Sequence, residues 1–190
     1  MRGRQVSVPY EGDRVDVFAE SEKSAVLAAL ATTAPGPTLD CYGGYVEILS
    51  KSAEFWVLRG IVPPGSVVPA HSHEDPEDFL ILSGSQQVLV ADGDQMVWRD
   101  ANAGDYIRVP GDAIHAHRNV TDQPAIDLII TSPRLGRFFE EVGRPVTADM
   151  QPPTPEEVAG FVAKSAEFGY KLASVEENAS YGIDLPVFSG

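Results

Sequence analysis

The stretch "GSVVPAHSHEDPEDFLILSG" (residues 65–84) decides the reading of this chain. It has two apolar runs with a polar segment between them. His71 and His73 are two residues apart, and in a β-strand such residues project from the same face. The segment "EDP" (residues 74–76) carries turn signals. A turn there lets the next strand bring the carboxylate of Glu77 back beside the two imidazoles. Phe79 and Ile81 follow Glu77 in alternation, so both are expected on the same inner face. The stretch therefore predicts two strands joined by a polar turn, with three side chains of metal-ligating type converging.

Outward from this core, the runs "YVEIL", "EFWVLRGIV", "QQVLVA", "QMVW", "DYIRVP" and "AIDLIITS" are rich in β-branched and aromatic residues. They are separated by "VPPG", "LSGS", "ADGD", "NAGD", "VPGD" and "TDQP". Short strands at this spacing predict an all-β sandwich or barrel with antiparallel pairing. His115 follows the Pro110–Gly111 turn at the start of a new strand. Three imidazoles and one carboxylate form a plausible ligand set for a divalent transition metal. His117 shares a face with His115 and Asn119. It is open to three roles: a hydrogen-bonded core histidine, a group that orients a ligand or substrate, or a fifth metal ligand. Phe55 or Trp56, and Tyr106, are candidate aromatic walls.

These residues carry a resemblance to the cupin superfamily. Its first motif, G-x5-H-x-H-x3-E-x6-G, is met by Gly65, His71, His73, Glu77 and Gly84. Its second, G-x5-P-x-G-x2-H-x3-N, is met by Gly104, Pro110, His115 and Asn119, with Asp112 in place of the inner glycine and Gly111 just before it. The resemblance implies a mainly β fold, the double-stranded β-helix or jelly-roll barrel. It also implies a metal held by His71, His73, Glu77 and His115, with Asn119 in a structural role. A homodimer is common among such proteins. The metal can be iron, manganese, nickel, cobalt or zinc, since ligand type alone does not select among them.

The barrel is expected over residues 45–132, with an N-terminal arm and helix over 1–44 and a helical tail over 133–190. In the first, Ser21 or Ser24 caps a helix whose Val26, Leu27 and Leu30 share a face, ended by Pro35 and Pro37. In the tail, "RLGRFFEEVGRP" predicts a short helix stopped at Gly143 and Pro145. Thr154, Pro155 and Glu157 form a capping box for a second helix, with Val158, Phe161, Val162 and Phe168 at helical spacing and Gly169 as the stop. The tail looks like that of single-barrel cupins similar to quercetin dioxygenase.

Lys and Arg total 14 against 28 Asp and Glu, a formal net charge of −14. Such a surface repels phosphates and anionic lipid, so neither nucleic acid nor membrane is expected as a partner. No apolar run is long enough to span a bilayer, and "MRGRQVSVPYEGDR" has no apolar core of a secretory signal; a cytoplasmic location is expected. Cys41 is the single cysteine, which excludes an intrachain disulfide.

The function expected is a metal-dependent enzyme, a dioxygenase acting on an aromatic or enolic small molecule and taking dioxygen. Glu77 would be a ligand and, if weakly bound, a general base, and His117 an alternative proton acceptor. The other readings are a non-oxidative cupin enzyme (isomerase, cyclase, lyase or decarboxylase) and a small-molecule-binding cupin without catalysis.

Overall fold

The computed structural model describes residues 36–185. The arm and helix expected before Pro35 lie outside these residues. Among the described residues there are twelve strands and three helices. The strands are β1 (Leu39–Asp40), β2 (Tyr45–Lys51), β3 (Trp56–Val62), β4 (Val67–Ser72), β5 (Glu77–Ser83), β6 (Ser85–Asp92), β7 (Gln95–Asn102), β8 (Tyr106–Val109), β9 (His115–Arg118), β10 (Ala125–Thr131), β11 (Arg144–Pro145) and β12 (Lys171–Leu172). The helices are α1 (Pro133–Val142), α2 (Pro155–Glu167) and α3 (Val175–Ser180).

Two antiparallel sheets face each other. One has the order β11-β1-β2-β3-β10-β5-β8, the other β12-β4-β9-β6-β7. The mainly β, jelly-roll expectation is met, and the helices are small appendages. Pairing extends beyond residues 45–132, because β1, β11 and β12 add strands from both flanks.

The alternation of side chains builds the interior. In β3, Trp56, Leu58, Gly60 and Val62 face inward; in β5, Glu77, Phe79 and Ile81; in β10, Ala125, Asp127, Ile129 and Thr131. Leu58 and Ile81 are essentially inaccessible to solvent. Trp56, Leu58, Phe79, Val109 and Ile129 pack together as one apolar cluster, with Leu39 and Val46 from β1 and β2. Burying each such side chain contributes about 1.5–3 kcal/mol.

Of the aromatic walls expected from the sequence, Tyr106 is 59% exposed, and of the alternatives Phe55 and Trp56 the first is 50% exposed while the second is buried in the apolar cluster rather than on the cavity. Phe55 lies just before β3, whose inward phase starts at Trp56. In β8 the inward phase is set by Val109, which leaves Tyr106 on the outside.

The tail closes over one end of the barrel. Ser132 caps α1, its hydroxyl accepting from the backbone N–H groups of Arg134 and Leu135. Thr154 and Glu157 make the reciprocal capping box of α2, and Ser174 and Glu177 make a second one for α3. Leu135, Phe138 and Val142 of α1 pack with Tyr170, which follows α2. β12 then hydrogen-bonds to β4, pairing Leu172 with His71 and Lys171 with Ser72.

Candidate functional site

The placement of His71 depends on an irregularity in β4. β4 pairs with β9 at Val67–Arg118 and Val68–His117, and again at His71–His115. Two residues of β4, Pro69 and Ala70, therefore face the single residue Ala116. Such a bulge re-aims the strand beyond it. Proline suits the position because it has no ladder N–H to lose. The N–H of Ala70 donates instead to Oδ1 of Asn178 at 2.9 Å. The Ala70 carbonyl accepts from the N–H of Ala173 at 2.9 Å. Asn178 is wholly buried, and its Nδ2 donates to the carbonyls of Ala173 (3.1 Å) and Ser174 (3.0 Å). The tail thus satisfies the backbone groups that the bulge frees.

His71, His73 and His115 are all buried, and one ring nitrogen from each lies within 4.8 Å of the others. Each Nδ1 faces a backbone carbonyl: Pro69 for His71 (2.7 Å), Asp75 for His73 (2.7 Å) and Ala113 for His115 (2.9 Å). A carbonyl oxygen only accepts, so each Nδ1 carries a proton, and in the neutral ring Nε2 keeps its lone pair. The Nε2 atoms of His73 and His115, and Oε1 of Glu77, are buried without a hydrogen-bond partner. Glu77 Oε2 lies 3.4 Å from His73 Nε2 and 3.7 Å from His115 Nε2. Both are longer than an ordinary hydrogen bond. Burial opposes charge on Glu77, yet its closeness to His115 and His73 holds the carboxyl well below the ordinary range. His71 is pushed well down by burial and by His115, and so is neutral.

Unpaired lone pairs converging from fixed tautomers, with one anionic carboxylate, fit a divalent transition metal. The four residues named for it in the sequence come together. His117 lies beside them, its ring 5.8 Å from that of His115 and 4.8 Å from that of Phe79. Burial, with a contribution from His115, lowers its pKa to about 3, and its Nε2 has no partner.

The loop between β8 and β9 explains the departure from the second motif. Asp112 has φ of +64°, the left-handed region that glycine usually fills and that Asp tolerates better than most residues. Its N–H donates to the His73 carbonyl at 2.6 Å. Gly111 answers a different need, since a Cβ there would lie 2.2 Å from the Glu74 carbonyl oxygen. Asn119 is structural: its Nδ2 donates to the carbonyls of Val62 and Gln123. On the opposite side, Asp75 accepts from the Ser132 hydroxyl and from Nε of Arg134, which ties the His73 loop to the start of α1.

His71, Glu77, His115 and His117 border a cavity of about 70 Å³. Phe79, Ile129, Phe138, Phe139, Phe161 and Tyr170 give it apolar walls. Tyr170 stacks on His71 with ring centroids 4.5 Å apart and planes at 11°, and Phe138 stacks on Tyr170 at 4.6 Å. The half-exposed Cys41 borders the cavity too, and burial of its sulfur pushes the thiol pKa well up, so it is not a reactive thiolate.

Residues 58–131 match the family model described as a cupin domain. The chain contains a cupin domain.

Among curated proteins, a gentisate 1,2-dioxygenase of Streptomyces sp is 30% identical to this cupin over 102 residues, which cover 51% of this chain and 28% of that enzyme. The chain thus matches less than a third of that relative's length. Among solved structures, an RmlC-like cupin of Shewanella frigidimarina has 22% identity and a TM-score of 0.46, over 58% of this chain and 92% of that one. A polyketide cyclase of Streptomyces resistomycificus has 17% identity and a TM-score of 0.44, over 64% and 83%.

Three groups at the cavity were not singled out from the sequence. Tyr170 follows the stop of α2 and has no periodic signal. Asp127 and Gln86 do have one: each is a polar residue at an inward position of an otherwise apolar strand.

Among the described residues no helix is long and apolar enough to cross a membrane.

Proposed function

We propose that this cupin is a metal-dependent dioxygenase acting on an aromatic or enolic small molecule. The observation that carries the reading is the convergence of three Nδ1-protonated imidazoles and Glu77 at one end of an apolar cavity. His71, His73, Glu77 and His115 would hold the metal. A metal bound there supplies a Lewis acid with positions left open for substrate oxygens and dioxygen. The protein's own contributions follow from the geometry. Phe79 and Ile129 flank a flat apolar ligand, while Tyr170 and Phe138 keep water from the metal end. His117, with its Nε2 unpartnered and bordering the cavity, accepts a proton or hydrogen bond from a substrate hydroxyl. Glu77 is an alternative acceptor through Oε1. The likeness to a gentisate dioxygenase supports oxygen chemistry on a phenol, although it covers only part of that enzyme.

The test is elemental analysis of protein purified without added metal or chelator, followed by oxygen-electrode assays with gentisate, catechols and flavonols. About one metal per chain with substrate-dependent oxygen uptake supports the reading. One metal per chain with turnover but no oxygen consumed replaces it with a non-oxidative cupin enzyme. No metal after reconstitution refutes it.

A further inference from the structure

The cavity has a second polar end. Asp127 projects into it from β10 and Gln86 from β6, and Nε2 of Gln86 donates to Oδ2 of Asp127 at 2.9 Å. The other oxygens of the pair, Asp127 Oδ1 and Gln86 Oε1, are buried with no hydrogen-bond partner. Asp127 is 2% exposed and Gln86 1%. Burial pushes the Asp127 carboxyl up to about 7, against the hydrogen bond from Gln86. Space is kept for the carboxylate by Gly60, where a Cβ would lie 2.1 Å from Asp127 Oδ1. Two unpartnered oxygens at the end of an apolar cavity need an explanation, since buried polar groups in folded proteins are almost always satisfied.

Strand register gives their distance from the other polar end. Across β5 and β10, Glu77 pairs with Thr131, Phe79 with Ile129 and Ile81 with Asp127. Asp127 is thus four residues along the sheet from Glu77, about 13 Å between their Cα atoms. Phe79 and Ile129 form the apolar layer between them.

We propose that Asp127 and Gln86 are a second binding subsite, which takes a hydroxyl or N–H group on the end of the ligand remote from its metal-binding oxygens. This rests on the metal-dependent reading and narrows its substrate class. Phe79 and Ile129 lie between the two polar ends, so the ligand needs an apolar part that passes this layer. The class is an aromatic diol or enol with a donor on a side chain or second ring, and a bare single-ring diol fills the metal end alone.

The experiment is anaerobic calorimetric titration of the zinc-loaded full chain with two catechols, 4-(2-hydroxyethyl)catechol and 4-propylcatechol. They differ by a terminal hydroxyl in place of a methyl. Wild-type protein is expected to bind the hydroxyethyl compound at least tenfold more tightly. Asp127→Leu is expected to lose that preference while still binding the propyl compound. Equal affinities in the wild type overturn the subsite and leave the metal reading standing. Failure of both catechols to bind overturns the subsite too, and the zinc content then tells whether the metal reading falls with it. The wild-type comparison does not depend on the variant folding.

Discussion

Asp127→Asn should change how stability depends on pH. In the folded chain burial raises the Asp127 carboxyl from 3.8 to about 7, opposed by the hydrogen bond from Gln86 and helped by the Glu77 charge. Between these values the unfolded chain has released this proton and the folded chain still holds it. The unfolded state binds fewer protons, so stability falls as pH rises through that window. The window spans about three pH units, each worth about 1.4 kcal/mol, so the loss is about 4 kcal/mol by pH 8. Asn carries no proton to lose and removes this slope. Groups other than Asp127 are common to both proteins, and their contribution cancels in the difference. The assay is urea unfolding of metal-free wild type and Asp127→Asn at several values from about pH 4 to about pH 8. The difference in stability should grow with pH in favour of the variant, on the order of 10 °C in Tm at the alkaline end. Curves that stay parallel would show Asp127 to be ionised throughout, or screened by water, and would refute the account of its burial.

Three further outcomes are expected. His71→Ala and His115→Ala each remove one converging imidazole and should lose most bound metal, whereas His117→Ala should keep it; elemental analysis of purified variants checks both. Gly60→Ala places a methyl against the Asp127 carboxylate and should destabilise the chain by about 1–3 kcal/mol, with Asp127→Ala in the same chain restoring most of the loss in a double-mutant cycle. Asn178→Leu leaves the Ala70 N–H without a partner and should cost about 1–3 kcal/mol, accompanied by weaker metal binding in a competition titration with a chelator.

Part of the histidine cluster was legible because it is local. His71, His73 and Glu77 belong to one strand–turn–strand, so alternation brings them to one face, whereas His115 joins them only through the pairing of β9 with β4 and was named from the resemblance to cupins. The second polar end depends on long-range contact. Asp127 and Gln86 are 41 residues apart and meet only when β10 and β6 face each other across the barrel. A phase argument applied to "AIDLIIT" finds Asp127 inward with Ala125 and Ile129, but nothing local names its partner. Tyr170 and β12 are less legible still. Two residues, Lys171 and Leu172, make the strand, and their pairing with β4 is a property of the closed barrel rather than of their own pattern. The misplaced walls have the same origin. Phe55 and Trp56 are adjacent, so only one can face inward, and the sequence does not set which.

The clamp of the tail on the bulge joins two equilibria into one. β12, Ala173 and Asn178 hold the backbone on which His71 is carried, and the imidazole of His71 is the floor on which Tyr170 rests. Docking of the tail and occupation of the centre are therefore thermodynamically linked, and linkage is reciprocal. On the metal-dependent reading proposed above, whatever factor a docked tail adds to metal affinity, a bound metal would return to the docking constant. A segment about a hundred residues downstream of His71 is thus part of the centre's affinity without supplying a single ligand to it.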